Sequence, residues 1–555
     1  MDVNNITYRP VAPEASIYED AKKDEVSLND ILVVFISVEK GDTVEMAQKA
    51  AKDTESFMKK LDRNTVLVYP FAHLSNNLES PKEAMKILDL VCKSISGEYT
   101  VKKAPFGWTK KMSVDVKGHP LAEQSRSYGA GEEVKVYKKA KPLSVNTSIV
   151  RKSDWSGLSD ADHRTIGEKL DLYSFQEVSP AMVYWHPNGY IVYRQLVEFI
   201  REIEGEHGYD ETSTPAIANT ALWHVSGHYE HYKENIFMFE SDMGELGLKP
   251  MNCPSTMLIY KSRKWSYREL PFRTATLDKL YRKEVSGALT GLFRVMELTQ
   301  DDGHIFCMES QIEDEVTDFL EIVKKVYETF GMKFIAKLST MPDDHMGDEA
   351  LWQKATAALE NALKKKGIQY EVKDKEGAFY GPKIDFDVYD SMGRAWQCAT
   401  VQVDYQQPMR FGLEYTGEDG RSHQPVVIHR AAFGSLERFM GVLVEHYKGK
   451  FPAWLAPTQV AVLSISEQLS GYAQEVYKKL KAHKFRVELD VSDRTLQYKI
   501  RDAKMKEVPY TLILGKKEEE AKTISIRMRD GTQKNQVKIE DFAAQLKDEI
   551  NNRKA

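Results

Sequence analysis

The chain has 555 residues, 42% hydrophobic and 29% charged, with a formal net charge of −6. That length exceeds what one core fills and implies about three or four domains. The mild negative charge excludes a uniformly basic nucleic-acid coat, and no apolar run approaches the roughly 18 residues that span a bilayer, so no membrane partner is expected.

The polar start MDVNNITYRP lacks the apolar stretch of a secretory signal. Four cysteines, at 92, 253, 307 and 398, form no CxxC pair. A cytoplasmic location is expected, with cysteine free for metal or for packing. The runs ILVVFISV (31–38) and TVLVYPF (65–71) predict strands around a helical stretch, and SPKEAMKILDLVCKSI (80–95) predicts a second helix with proline in its first turn. YTVKKAPFGWTKKMSVDVKGHPLAE reads as two strands joined by a Pro-Gly turn, after which Gly, Lys and Ser mark a linker. YIVYRQLVEFIREIEGEHGY predicts a helix with Leu196, Ile200 and Ile203 on one face, followed by an extended segment ending at Pro215. Strands then recur without βαβ alternation (FRTATLDKLYRKE, LFRVMELTQDDGHIFCM, AFYGPKIDFDVYD, AWQCATVQVDY, VVIHRA), which predicts an antiparallel sheet. After WLAP (454–457) strands and helices do alternate, predicting a compact α/β unit. Its stretch 478–501, with Tyr498 among lysines and arginines, is a candidate basic patch or a solvated helix face.

Two segments carry chemistry. In LYRKEVSGALTGLFRV (280–295), period-two alternation places Arg282 and Glu284 on one strand face, and Arg294 is expected on the partner strand after a glycine-containing loop. In HRAAFGSLERFMGVLVEH (429–446), Gly434 stands near a helix start with Arg438 one turn later. Arginine forks suit phosphate oxygens, and a carboxylate can accept from an exocyclic amine. Either segment alone also fits a surface ion-pair ladder.

Together these stretches resemble motifs 2 and 3 of class II aminoacyl-tRNA synthetases, and the strand ending in Pro215 resembles motif 1. MVYWHPNG, LKPMNCPSTM, TQDDGHIF, EGAFYGPKIDF, RAWQCATVQVDY and VIHRAAFGSLERF are similar to the catalytic core of the threonyl-tRNA synthetase family. VYPFAHLS, KAPFGW and KGHPLAE resemble the archaeal editing domain of that family, built like a D-aminoacyl-tRNA deacylase. The resemblance implies a multidomain α+β and α/β chain: an editing domain over 1–135, a linker over 136–162, a class II antiparallel-sheet core over 163–452 and an α/β anticodon-binding domain over 453–555. It implies ATP-dependent ligation of threonine to tRNA(Thr) through threonyl-adenylate, editing of seryl-tRNA(Thr), and a homodimer. Competing readings are an editing-only or tRNA-binding paralogue and a zinc hydrolase unrelated to tRNA.

The same resemblance assigns residues. Cys253, His304 and His429 would hold one Zn²⁺ with a position left open. Asp302, Tyr380 and Gln402 would receive L-threonine. Arg282, Glu284, Arg294 and Arg438 would bind ATP with Mg²⁺, and Gln300 and Gln397 would position the carboxylate or adenylate. His73, Lys110 and Glu123 would shape the editing site, and Asp493, Glu518 and Arg527 would read the anticodon. Against the family, the chain starts inside or just after the strand expected to open the editing domain. Thr109 replaces an aromatic residue, Asp493 an amide, and Ser255-Thr256 the Gly-His that many bacterial enzymes carry.

Overall fold

A computed structural model describes residues 1–75, 77–119, 121–124, 126, 128 and 157–554. It divides into two compact units, the first within 1–144 and the second within 145–555. The part of the expected linker before 157 lies outside the described residues. No helix among those described is long and apolar enough to cross a membrane.

The first unit is built on strands β1 (Asp2–Pro13), β2 (Val26–Ile36), β3 (Thr65–Pro70), β4 (Thr100–Lys103) and β5 (Trp108–Val116), in the order β4-β3-β2-β1-β5. Helices α1 (Val44–Leu61) and α2 (Pro81–Ser94) cover one face. Thr43 caps α1, which buries Ala51, Phe57 and Met58 against Val66 and Val68 of β3. The opposite face buries Ile6, Tyr8, Val33, Leu67 and Tyr69. The two strands expected to form a hairpin around Pro-Gly do not pair. β4 lies parallel to β3, and β5 lies antiparallel to β1 at the far edge. Strand β1 is long enough to run between β2 and β5, so the chain's opening residues supply the partner that a hairpin would have supplied.

In the second unit, α3 (His163–Lys169) precedes the long α4 (Pro187–Glu206), whose predicted face is confirmed by buried Leu196, Ile200 and Ile203. A nine-stranded sheet follows. Its main path comprises β6 (Asp210–Thr212), β7 (Phe272–Thr276), β8 (Glu297–Cys307), β9 (Lys333–Ser339), β10 (Tyr370–Lys373), β11 (Lys383–Tyr389), β12 (Ala395–Asp404) and β13 (Val426–Ser435). The spatial order is β10-β9-β11-β12-β13-β8-β7-β6, with the short strand Lys279–Tyr281 pairing β8 off this path. All these pairings are antiparallel except the edge pairs β9–β10 and β7–β6. Helix α5 (Cys253–Lys261) and α6 (Ile312–Thr329) lie along the chain between these strands, and α7 (Leu436–His446) follows β13 directly.

The end of the chain forms a separate core around β14 (Val460–Ser464), β15 (Val487–Asp490), β16 (Tyr510–Leu514), β17 (Thr523–Met528) and β18 (Gln533–Lys538), ordered β15-β14-β16-β17-β18. The polar edge strand QKNQVK gives no hydrophobic alternation, which is why the sequence does not announce it.

Candidate active site

Strand register builds the site. On β8, Gln300, Asp302 and His304 alternate with residues that face the core, so all three share one face. His304 pairs across with His429 on β13, His429 with Gln402 on β12, and Gln402 with Lys383 on β11. Cross-paired residues point to the same side, so four chain-distant side chains form one row. The next row holds Asp302, Ala431, Thr400 and Asp385.

Cys253 is the first residue of α5, and its thiol joins this row. Donor atoms of Cys253, His304 and His429 all lie within 4.8 Å of one another, and all three residues are buried. Neither ring nitrogen of His304 has a hydrogen-bond partner. Such orphaned groups cost roughly 1–3 kcal/mol each when buried, and a metal ion would satisfy one of them. The donor set fits a metal: burial holds His304 far below the ordinary imidazole pKa, and so neutral, with His429 and Arg430 adding to the effect. Burial also raises the Cys253 thiol well above its usual range, so a bound cation would have to displace its proton. His429 Nε2 lies 2.9 Å from Asp404 Oδ2, and that carboxylate also accepts from Gln407 Nε2 at 2.9 Å. Asp404 thereby fixes the ring's tautomer and leaves Nδ1 for another partner.

Beside the triad opens a pocket of about 390 Å³ whose lining includes Arg282, Glu284, Arg294, Gln300, Gln397, Gln402 and Arg438. Arg282 donates to Pro250 O (3.1 Å) and Gln300 Oε1 (3.3 Å), Arg294 pairs with Glu284 (2.8 Å), and Arg438 Nε donates to Phe293 O (3.0 Å). Three guanidinium groups thus line the pocket, one of them paired with Glu284, and they suit an anionic ligand. Arg282 and Glu284 do not sit on a regular strand as expected: the strand ends at Tyr281, and Arg294 lies before β8 begins, in an isolated bridge with Thr290. The pocket, not strand alternation, brings them together. Gly434 lies on β13 with φ +73°, one residue before the N-cap Ser435 of α7, and places Arg438 in the helix's first turn. At the triad's edge Asn252 donates to Asp302 (3.2 Å), the Tyr380 hydroxyl donates to Gln402, and the Tyr380 ring lies 5.3 Å from that of His429. Enclosure raises the Asp302 pKa, while His429 and Asn252 pull it down.

Elsewhere the predicted residues are less convergent. Lys110 sits on β5 with its ammonium bonded to Pro105 O (2.8 Å) and Trp108 O (2.9 Å), over the Tyr69 ring. Glu123 is exposed and follows Ala122, whose carbonyl accepts from Asp2 at the start of β1, whereas Lys110 pairs with Pro10 near that strand's end. The structure does not bring the two side chains together. His73 contributes backbone to the turn Ala72–Leu74, and its side chain lies outside what is described. Near the chain's end, Glu518 spends its carboxylate on Gly515 N (2.9 Å) and Ser525 Oγ (2.7 Å). Arg527 lies on β17, and Asp493 is exposed in the loop after β15.

Residues 1–128 match the archaea-specific editing domain of threonyl-tRNA synthetase, residues 237–447 the tRNA synthetase class II core domain (G, H, P, S and T), and residues 459–549 the anticodon binding domain. The threonine–tRNA ligase of Thermotoga sp. (strain RQ2) is 48% identical over 394 residues, which is 71% of this chain and 62% of that protein. The chain thus matches somewhat under two thirds of the length of such relatives. The crystal structure of the RNA binding domain of threonyl-tRNA synthetase from Cryptosporidium parvum Iowa II is 41% identical with TM-score 0.68, covering 70% of this chain and 98% of that one. The chain belongs to the threonyl-tRNA synthetase family. ThrRS-1 from Aeropyrum pernix is similar at 28% identity and TM-score 0.63, over 71% of this chain and 97% of that one.

For a threonyl-tRNA synthetase family member, the sequence reading missed several lining residues. Lys383 and Asp385 both face the pocket, 2.6 Å apart, and Oδ1 of Asp385 is buried without a partner. Their alternation in GPKIDF was the available signal. Phe293 of the lining and Asp404, the partner of His429, gave none, because an aromatic residue in a loop and an acid at a strand end are commonplace.

Proposed function

We propose that this chain activates L-threonine with ATP and transfers it to tRNA(Thr), and that its first unit removes serine from misacylated tRNA(Thr). The observation that carries the reading is the adjacency of the Cys253–His304–His429 triad to a pocket walled by Arg282, Arg294 and Arg438. Arg282, with Arg294 and Arg438, neutralises the triphosphate that Mg²⁺ accompanies, and Glu284 accepts from the adenine amine. Gln300 and Gln397 orient the threonine carboxylate for in-line attack on the α-phosphorus, expelling pyrophosphate. Such chemistry needs positioning and charge stabilisation rather than a side-chain nucleophile. Asp302 receives the threonine ammonium, and Tyr380 with Gln402 closes the side-chain pocket. A zinc ion on the triad would supply a Lewis-acid position for the amino and hydroxyl groups of threonine, a pairing that isosteric valine lacks. Serine keeps that hydroxyl and differs by one methyl, a difference worth roughly 1–3 kcal/mol, so a second hydrolytic site at Lys110 is physically motivated. Asp493, Glu518 and Arg527 are assigned to the anticodon, the chain to a homodimer, and its setting to the reducing cytoplasm, where a thiol ligand persists.

The deciding experiment is threonine-dependent ATP–pyrophosphate exchange with and without a chelator. Exchange that a chelator abolishes and zinc restores is expected, with Cys253→Ala inactive. A zinc-replete chain without exchange would reject the reading in favour of a non-ligating paralogue.

A further inference from the structure

The described residues hold a second group of metal-type donors, Asp162, His163 and Glu445. Its hydrogen bonds give it a different role. His163 is fully buried, and Nδ1 lies 2.7 Å from Glu445 Oε1, an oxygen that also accepts from the His163 backbone N–H at 2.9 Å. Nε2 accepts from the backbone N–H of Leu292 at 3.1 Å. The tautomer is therefore set, with the proton on Nδ1, and neither nitrogen is left for a cation. Glu445 is itself tied to Arg394, which bonds Asp390 at 2.6 Å.

Leu292 begins the short stretch that carries Phe293 and Arg294 into the pocket. The His163 ring lies 4.1 Å from the Phe293 ring, which lies 4.2 Å from Trp396 on its other side. The Phe293 carbonyl accepts from Arg438. Gly291, with φ +49°, lets the loop close onto the imidazole: a Cβ there would lie 2.2 Å from Nε2. One ring, immobilised from α7 through Glu445, thus grips the loop by a hydrogen bond and by a face.

We propose that His163 is a positioning residue for the nucleotide, clamping the loop 291–294 so that Phe293 and Arg294 stand preformed in the pocket. The proposal rests on the ATP reading above. Without the clamp the loop samples other conformations, and apparent ATP affinity falls by the fraction of time it is misplaced.

The test is threonine-dependent exchange by the full chain carrying His163→Phe, His163→Gln or Gly291→Ala. Phenylalanine keeps the ring face and removes the acceptor, whereas glutamine can return an acceptor near Nε2. The KM for ATP is expected to rise about fivefold or more in His163→Phe, as one lost hydrogen bond allows, with the KM for threonine unchanged and partial recovery in His163→Gln. Gly291→Ala, which leaves the histidine in place, is expected to raise the same KM, and it carries the test if His163→Phe fails to fold. An unchanged KM for ATP, or equal rises for both substrates, would overturn the clamp. Loss of exchange in the wild type would instead remove the ATP reading, and the clamp with it, so the two failures are distinguishable.

Discussion

A lysine becomes a base only where its proton is held loosely, and Lys110 meets that condition. Burial lowers its pKa from 10.5 to about 8, against the opposing pull of Glu14 and Glu19. In the neutral form both amine protons are spent on Pro105 O and Trp108 O, which leaves the lone pair free for a water. Seryl-tRNA(Thr) deacylation is therefore expected to rise with pH and level off above about 8, and Lys110→Ala should lose both the rate and the inflection. Deacylation measured across that range decides it, since a rate that falls with pH would assign the charged form. The same shift bears on stability. A lysine pKa lower in the folded state means that the unfolded chain binds more protons between 8 and 10.5, so the first unit gains stability as pH rises through that window.

At the scale of elements, the junction between β13 and α7 is a tight joint beside the pocket. Gly434 combines φ +73° with a Cβ position 2.6 Å from Cys398 O on the neighbouring β12. Alanine there meets a backbone atom and pays a left-handed penalty of roughly 1–2 kcal/mol. Relief would tilt α7 away from β12 and carry Arg438 with it. Gly434→Ala is expected to lower the melting temperature and to cut pyrophosphate exchange by about tenfold or more, the effect of misplacing one charge-stabilising group. A variant that melts and exchanges like its parent would show that the joint has slack. Behind the same strand, Arg430 is buried against Glu204 of α4 at 2.7 Å, which ties that helix to the row containing His429.

For the whole molecule, the sheet ends at β6, a three-residue edge strand, and α4 before it exposes Tyr190. Among the described residues no strand pairs with the outer side of β6, and such an edge suits a second copy of the same surface. Sedimentation at micromolar concentration is expected to give twice the mass of one chain, and a monomer there would reject the homodimer. With editing assigned to the first unit and ligation to the second, Lys110→Ala should leave exchange untouched.

Period and punctuation were readable from residues alone: the helical face of α4, the antiparallel strands of the core, and the alternating βα order after WLAP. So were Arg282, Glu284, Arg294, Gln300, Gln397, Gln402 and Arg438 as residues that line the pocket, through their motifs, whereas Phe293, Lys383 and Asp385 were not. Residues such as Cys253, His304 and His429 could not be joined by reading along the chain, because they are brought together by inter-strand register and by the start of α5, and register is a property of pairing rather than of local sequence. Three other outcomes were likewise decided only by the tertiary structure. β4 and β5 separate to opposite parts of their sheet because the opening strand intervenes. Lys110 and Glu123 lie apart because β1 is extended between them. His163, which reads along the chain as the ordinary start of a helix, becomes a clamp because Glu445 and Leu292 reach its two nitrogens from more than a hundred residues away. Local sequence determines which face of each element is apolar; only the folded chain decides which polar atoms are left to find one another once those faces are buried.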